Sequence, residues 1–119
     1  MNMQRKRWHE KKGRMAERLC STLLRLKGYK ILKRRYKTKV GEIDIIAQRG
    51  KMLIFVEVKT RLTLLSALES ISLNQRRRIE KAAQFFLQFY QNYSGYDLRF
   101  DVMLVAPWRI KHLKDAWIL

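Results

Sequence analysis

The sequence predicts an α/β domain in which helices cover a mixed β-sheet, with elements in the order αβββαββ. Three observations predict it. Two long stretches carry apolar residues at helical spacing, two adjoining short stretches are rich in branched and aromatic residues, and the helical and strand-like segments alternate along the chain. The 119 residues suffice for one domain, and 47% apolar residues supply its core.

Residues 1–10 read as a basic arm with Arg5, Lys6 and Arg7 beside Trp8, ahead of a single domain over residues 11–119. Over residues 11–27, Met15, Ala16, Leu19, Cys20, Leu23, Leu24 and Leu26 recur at helical spacing, and Gly28 stands where a helix stop belongs. Residues 29–36 mix apolar and basic positions as an edge strand does. Gly41 introduces a strand over 42–47, the turn Gln48-Arg49-Gly50-Lys51 follows, and residues 52–59 form its hairpin partner. A second helix spans 74–92 with Ile79, Ala82, Ala83, Phe86, Leu87 and Tyr90 as its apolar set. A strand over 98–106 ends at Pro107, and a short strand or turn near 110–113 precedes an apolar tail, 116–119.

Charge narrows the function. Lys and Arg number 27 against 10 acidic residues, a net +17. Such an excess implies a polyanionic partner, with nucleic acid first and an anionic membrane surface a distant second. Apolar runs such as Met52 to Val56 are too short to cross a bilayer, and the basic N-terminus has no apolar stretch behind it. One cysteine excludes an internal disulfide and a cysteine-rich zinc site, so a reducing, cytoplasmic setting is expected.

Two strands carry residues that packing alone does not explain. In Leu53-Ile54-Phe55-Val56-Glu57-Val58-Lys59 both faces begin apolar, and the face of Leu53 and Phe55 turns charged at Glu57 and Lys59. In the preceding strand Asp44 lies between isoleucines, an unfavourable place for an unpaired carboxylate. Paired in a hairpin, Asp44 and Glu57 project together and repel unless a cation intervenes. Oxygen ligands of this kind suit Mg²⁺ or Mn²⁺, which would polarise a phosphodiester, while Lys59 meets the attacking water or the developing charge. An ordinary surface ion pair is the alternative for Glu57 and Lys59 alone.

The strings Gly41-Glu42-Ile43-Asp44-Ile45-Ile46-Ala47 and Phe55-Val56-Glu57-Val58-Lys59-Thr60-Arg61 resemble the YraN family of uncharacterised bacterial proteins. Gly13-x-x-Ala16-Glu17, Arg99-Phe100-Asp101-Val102 and His112-Leu113-Lys114-Asp115-Ala116 extend the resemblance over most of the chain. That family is similar in pattern to the PD-(D/E)xK nucleases. The resemblance therefore implies a restriction-endonuclease-like three-layer fold and a metal-dependent endonuclease acting on DNA, with branched or structured DNA among its substrates. It carries the motif residues onto Asp44, Glu57 and Lys59, with Glu17 as a helical carboxylate. Arg61, Arg76, Arg77 and Arg78 are the expected nucleic-acid contacts, and a homodimer is an expectation by analogy with fold relatives. No glycine occurs between Lys51 and Ser94, a departure from the family pattern in the loop after Arg61.

Several residues read two ways. Gln75 serves a capping box, Ser72-Leu73-Asn74-Gln75, or faces the metal; the cap is the preferred reading. Asp101 pairs with Arg99 on its own strand face, Cys20 belongs to the core, and neither His9 nor His112 is assigned to a metal. A nucleic-acid-binding module without catalysis, or an assembly factor using the tail Trp117-Ile118-Leu119, are the rival functions.

Overall fold

Each expected strand and helix is present in the computed structural model, which describes residues 3–117, and side chains from Gly13 onward. Helix α1 (Met3–Leu26) precedes strands β1 (Lys30–Lys37), β2 (Glu42–Arg49) and β3 (Met52–Thr60). Helices α2 (Leu64–Glu69) and α3 (Leu73–Phe89) follow, then a short 3₁₀ turn (Gln91–Tyr93), β4 (Asp97–Ala106) and β5 (Arg109–Trp117). The first helix reaches back to Met3, through residues expected as the arm. The side chains of Arg5, Lys6, Arg7, Trp8 and His9 lie outside the described ones. The glycine-free loop after Arg61 contains a helix the sequence pattern did not reveal: Thr63 caps α2 by accepting a hydrogen bond from the Ser66 N–H at 3.1 Å.

The strands form one sheet in the order β1-β2-β3-β4-β5. Only β3 and β4 are parallel. A parallel pair needs a crossover, and α2 and α3 supply it. The result is three layers. On one face α3 covers Ile43, Ile46, Leu53, Phe55, Phe100 and Val102 with Ile79, Ala82, Ala83 and Phe86. On the other, Cys20 and Leu24 of α1 pack on Ile45, Ala47, Ile54, Val56 and Met103. Burial on both faces explains why β3 reads apolar at successive positions.

The helical periodicity of α1 is broader than the face it buries. Ala16, Cys20 and Leu24 are buried, whereas Met15, Leu19 and Leu26 face solvent. The sheet accepts one row of i, i+4 positions, and the flanking apolar residues of the pattern remain outside. Gly28 closes the helix at φ +93, a left-handed conformation suited to glycine, and the next N–H, of Tyr29, bonds back to the Leu24 carbonyl. The expected short segment near 110–113 is a full strand, β5. Trp117, expected in an exposed-looking tail, is buried and stacked on Phe100 with centroids 5.2 Å apart. Among the described residues, no helix is long and apolar enough to cross a membrane.

Gly41 sets the distance between the two layers that bear the site. A Cβ there would lie 2.2 Å from the Arg78 carbonyl oxygen of α3. Only glycine admits that approach, and it brings the first turns of α3 over the start of β2.

Candidate active site

Asp44 ends the pairing of β2 with β3. Their register runs from Arg49↔Met52 to Ile45↔Val56 and stops there. One residue further, the Asp44 carboxylate takes the place of a backbone acceptor: the Val58 N–H donates to Asp44 Oδ2 at 2.7 Å. The strands separate, and the alternation of β2 breaks with them. Ile45 belongs to the α1 core, yet Ile43 joins the α3 core together with Ile46. Across the β1 pairing, the position opposite Asp44 is Arg35, which adopts φ +53. A non-glycine residue held there stores about 1 kcal/mol of strain, and such positions cluster at functional sites. The aspartate that looked out of place in an apolar strand is thus the residue that opens the sheet.

Glu57 and Lys59 stand on the α3 face of β3, as strand alternation requires. The Glu57 and Asp44 carboxyls line one cleft, close enough for each to shift the other's titration. The Lys59 Nζ lies 3.9 Å from Glu57 Oε1, an ion-pair distance beyond direct hydrogen bonding. Burial pushes the Glu57 carboxyl well above its ordinary range, the Asp44 charge adds to the rise, and Lys59 opposes it only in part. Burial raises Asp44 as well, against the lowering effect of Glu57 and of the hydrogen bond from the Val58 N–H. Two bare charges this close repel, which favours a proton on the pair. A bound cation can fill the role of that proton.

Glu17 of α1 approaches from the other side. It lines a cleft with Asp44, Glu42, Arg14, Arg35 and Lys37. Its carboxyl is pushed up to about 7, by burial first and the Asp44 charge second, against the lowering effect of Arg35. Arg35 Nε sits 3.9 Å from Glu17 Oε2. Glu17 is therefore coupled to Asp44 and paired with Arg35, one step removed from the Asp44–Glu57 pair. The basic run around Arg35 gave no hint that this arginine would face the site.

Helix α3 roofs the opposite side. Asp44, Glu57, Ser72, Gln75 and Arg78 line a second cleft. Ser72 caps α3 by accepting from the Gln75 N–H at 3.0 Å, as the capping reading requires. The glutamine side chain itself borders the acidic cleft, so both readings of Gln75 hold in part. Arg77 and Arg78 are exposed, and Arg61 is exposed at the end of β3. Arg76 differs from its neighbours: it is half-buried, with its guanidinium 5.6 Å from the Trp117 ring. That packing leaves it less accessible than the other three.

The donors fit a hard divalent cation. Asp44 and Glu57 offer carboxylate oxygens in one cleft at an open sheet end, a set that suits Mg²⁺ with waters in its remaining positions. Among the described residues no three His, Cys, Asp or Glu side chains converge elsewhere or here.

The raised carboxyls carry a pH signature. The unfolded chain releases the glutamate protons near pH 4.5, whereas folded Glu17 holds its proton to about 7 and Glu57 also stays above its ordinary range. Between those limits the folded state binds more protons, so stability is complete below the unfolded value and falls as pH rises. The melting temperature is expected to be lower at about pH 8 than at about pH 5.5, and Glu57→Gln to flatten that slope. Calorimetric melting across the range checks this.

Away from the site, Asp101 anchors a separate buried network. Arg99 Nε and Nη2 donate to its two oxygens at 2.8 Å each, and His112 Nε2 donates to Oδ2 at 2.7 Å. Arg99 also donates to the Tyr29 hydroxyl, and Lys27 Nζ to His112 Nδ1. The expected Arg99–Asp101 pair is present, and His112 has a structural partner in the same carboxylate. Burial pushes the Cys20 thiol up to about 12, so it stays protonated in the core.

Comparison with known proteins places this geometry in a lineage. The profile of the uncharacterised protein family UPF0102 matches residues 16–105, which include Glu17, Asp44, Glu57, Lys59 and Asp101. A UPF0102 protein of Paramagnetospirillum magneticum is 46% identical over 113 residues, covering 91% of this chain and 88% of the relative. One from Mesorhizobium japonicum is 46% identical over 108 residues, with coverages of 90% and 86%. Another, from Methylocella silvestris, is 51% identical over 100 residues, with coverages of 84% and 81%. The chain belongs to the UPF0102 family, the YraN family that its two central strings resemble.

Proposed function

We infer that the protein is a divalent-cation-dependent endonuclease acting on DNA, with branched or structured DNA as the favoured substrate. The observation that carries this reading is the meeting of the Asp44 and Glu57 carboxyls in one cleft, with the Lys59 ammonium 3.9 Å from Glu57, where β2 leaves β3. A buried like-charge pair is costly to folding, and its retention at an open sheet end beside a cation is what a phosphoryl-transfer site requires.

Asp44 and Glu57 would hold Mg²⁺ or Mn²⁺, and that ion would supply Lewis-acid polarisation of the phosphate. The Val58 N–H fixes the Asp44 carboxylate in place. Lys59, not hydrogen-bonded to Glu57, is free to donate to a phosphoryl oxygen as negative charge develops. Arg78 at the α3 side of the cleft, with the exposed Arg77 and Arg61, would neutralise phosphates of the bound strand. Glu17 tunes the Asp44 charge from the α1 side and is paired with Arg35.

Incubating the protein with labelled linear, flapped and four-way DNA in Mg²⁺ or Mn²⁺ tests the reading. Cleavage that Asp44→Ala and Glu57→Ala abolish is the expected result. Absence of cleavage on every substrate, or equal cleavage by both variants, would leave a basic nucleic-acid-binding module.

A further inference from the structure

The sharpest unexplained feature outside the carboxylate site is Trp108. It occupies the turn between β4 and β5, where Ala106 pairs with Arg109 and only Pro107 and Trp108 lie between. Its side chain is 97% exposed. Turns of this kind favour glycine, asparagine or aspartate at the second central position, for reasons of backbone geometry. Tryptophan gains nothing there from the turn itself, and in solvent it leaves a large apolar ring without a contact.

The ring borders a groove of about 910 Å³ between that turn and the end of β3. Arg61 and Arg109 are the charged residues of its lining, and no acidic residue belongs to it. Thr60 lines this groove and also the cleft that holds Asp44 and Glu17. The two depressions therefore meet at Thr60. The Asp44–Glu57 pair lies between β2 and β3 and the turn lies between β4 and β5, two strand spacings away. Across the sheet this is about 10 Å at about 4.8 Å per strand. Along β4 the turn lies about six residues beyond Val102, the partner of Glu57, or about 20 Å. The separation is therefore about 22 Å, about six nucleotide steps at ~3.4 Å each.

We propose that Trp108 is a stacking platform for an unpaired base, with Arg61 and Arg109 holding the phosphates on either side, so that the protein engages DNA where a single strand leaves a duplex. An aromatic face accepts any base, and flanking guanidinium groups fit the backbone between bases. Charge complementarity selects this occupant: the groove presents two cations and no anion, in a chain of net charge +17. The proposal rests on the endonuclease reading for its purpose and deepens it, because a base held at this distance sets the junction between the ring and the carboxylates.

The test separates the two. Binding is measured by fluorescence anisotropy in EDTA, where no cleavage occurs, with fluorescein-labelled oligodeoxythymidine of about twelve nucleotides and a duplex of the same length. Trp108→Ala is expected to lose roughly tenfold in affinity for the single strand and to bind the duplex within about twofold of the parent protein. Trp108→Phe, which keeps an aromatic face, is expected to recover most of the loss. Because the ring is exposed, circular dichroism of both variants should match the parent. Single-strand affinity unchanged in Trp108→Ala, or an equal loss on both probes, overturns the stacking role. So does a parent protein that sediments as a dimer and a Trp108→Ala variant that is monomeric with unaltered affinity, since the groove would then receive a second copy. A failure of cleavage in Mg²⁺ leaves these outcomes unaffected.

Discussion

Glu57→Gln is expected to lower DNA cleavage by about a thousandfold while making the fold more stable. The two effects have opposite signs because they share one cause. In the folded protein the Glu57 carboxyl is buried near Asp44 and keeps its proton well above its ordinary range, which costs stability at neutral pH, where the unfolded chain ionises it. Glutamine has the same shape and can donate an amide N–H to Asp44, with no proton to lose. Stability near neutral pH should rise by about 1 kcal/mol, read as a shift in denaturant midpoint with unchanged slope. Activity should fall because a neutral amide is a poor ligand for a divalent ion. A variant that loses stability and activity together would point to Glu57 as a folding residue.

Asp101→Asn is expected to do the reverse, costing about 3–5 kcal/mol of stability. Folded domains hold only about 5–15 kcal/mol, so this change should leave the protein near its unfolding threshold. Burial alone would raise the Asp101 carboxyl, but hydrogen bonds from His112, Arg99 and the Asp115 N–H outweigh it and hold the group below the usual carboxylate range. Its contribution is therefore complete above the unfolded value of 3.8 and is lost as pH falls through the folded one. The amide leaves Arg99 without its bidentate partner and removes one acceptor from the irregular start of the β4–β5 pairing, where Asp115 adopts φ +57 and its N–H donates to Asp101. Equilibrium unfolding measures the loss, and acid unfolding of the parent protein should set in at lower pH than the loss of the Glu17 proton.

The sequence discloses this architecture through its periodicities. Residues 52–59 show burial on both faces, so a central strand follows, and the row Ile79, Ala82, Ala83 and Phe86 fixes the face of α3. Where apolar residues exceed what a sheet can cover, the pattern misleads: Met15, Leu19 and Leu26 match the helical period of α1 and yet face solvent. Helix α2 is hidden because six residues are too few to show a period; its Thr63 cap is the only local sign. The carboxylate site is legible in part. Two acidic residues among branched apolar ones announce a demand for partners, and hairpin pairing brings them together. Arg35 and the side-chain placement of Gln75 depend on a left-handed residue opposite Asp44 and on the approach of α3 across Gly41, neither of which a periodicity records. Trp108 is plain in the sequence, but its exposure belongs to the two-residue turn.

Calorimetric titration with Mn²⁺ tests most directly whether Asp44 and Glu57 form one cation site. One ion per chain is expected to bind the parent protein, and the double variant Asp44→Asn, Glu57→Gln, folded and at least as stable, should show no saturable uptake. Equal uptake by parent and double variant, or none by either, would contradict the account.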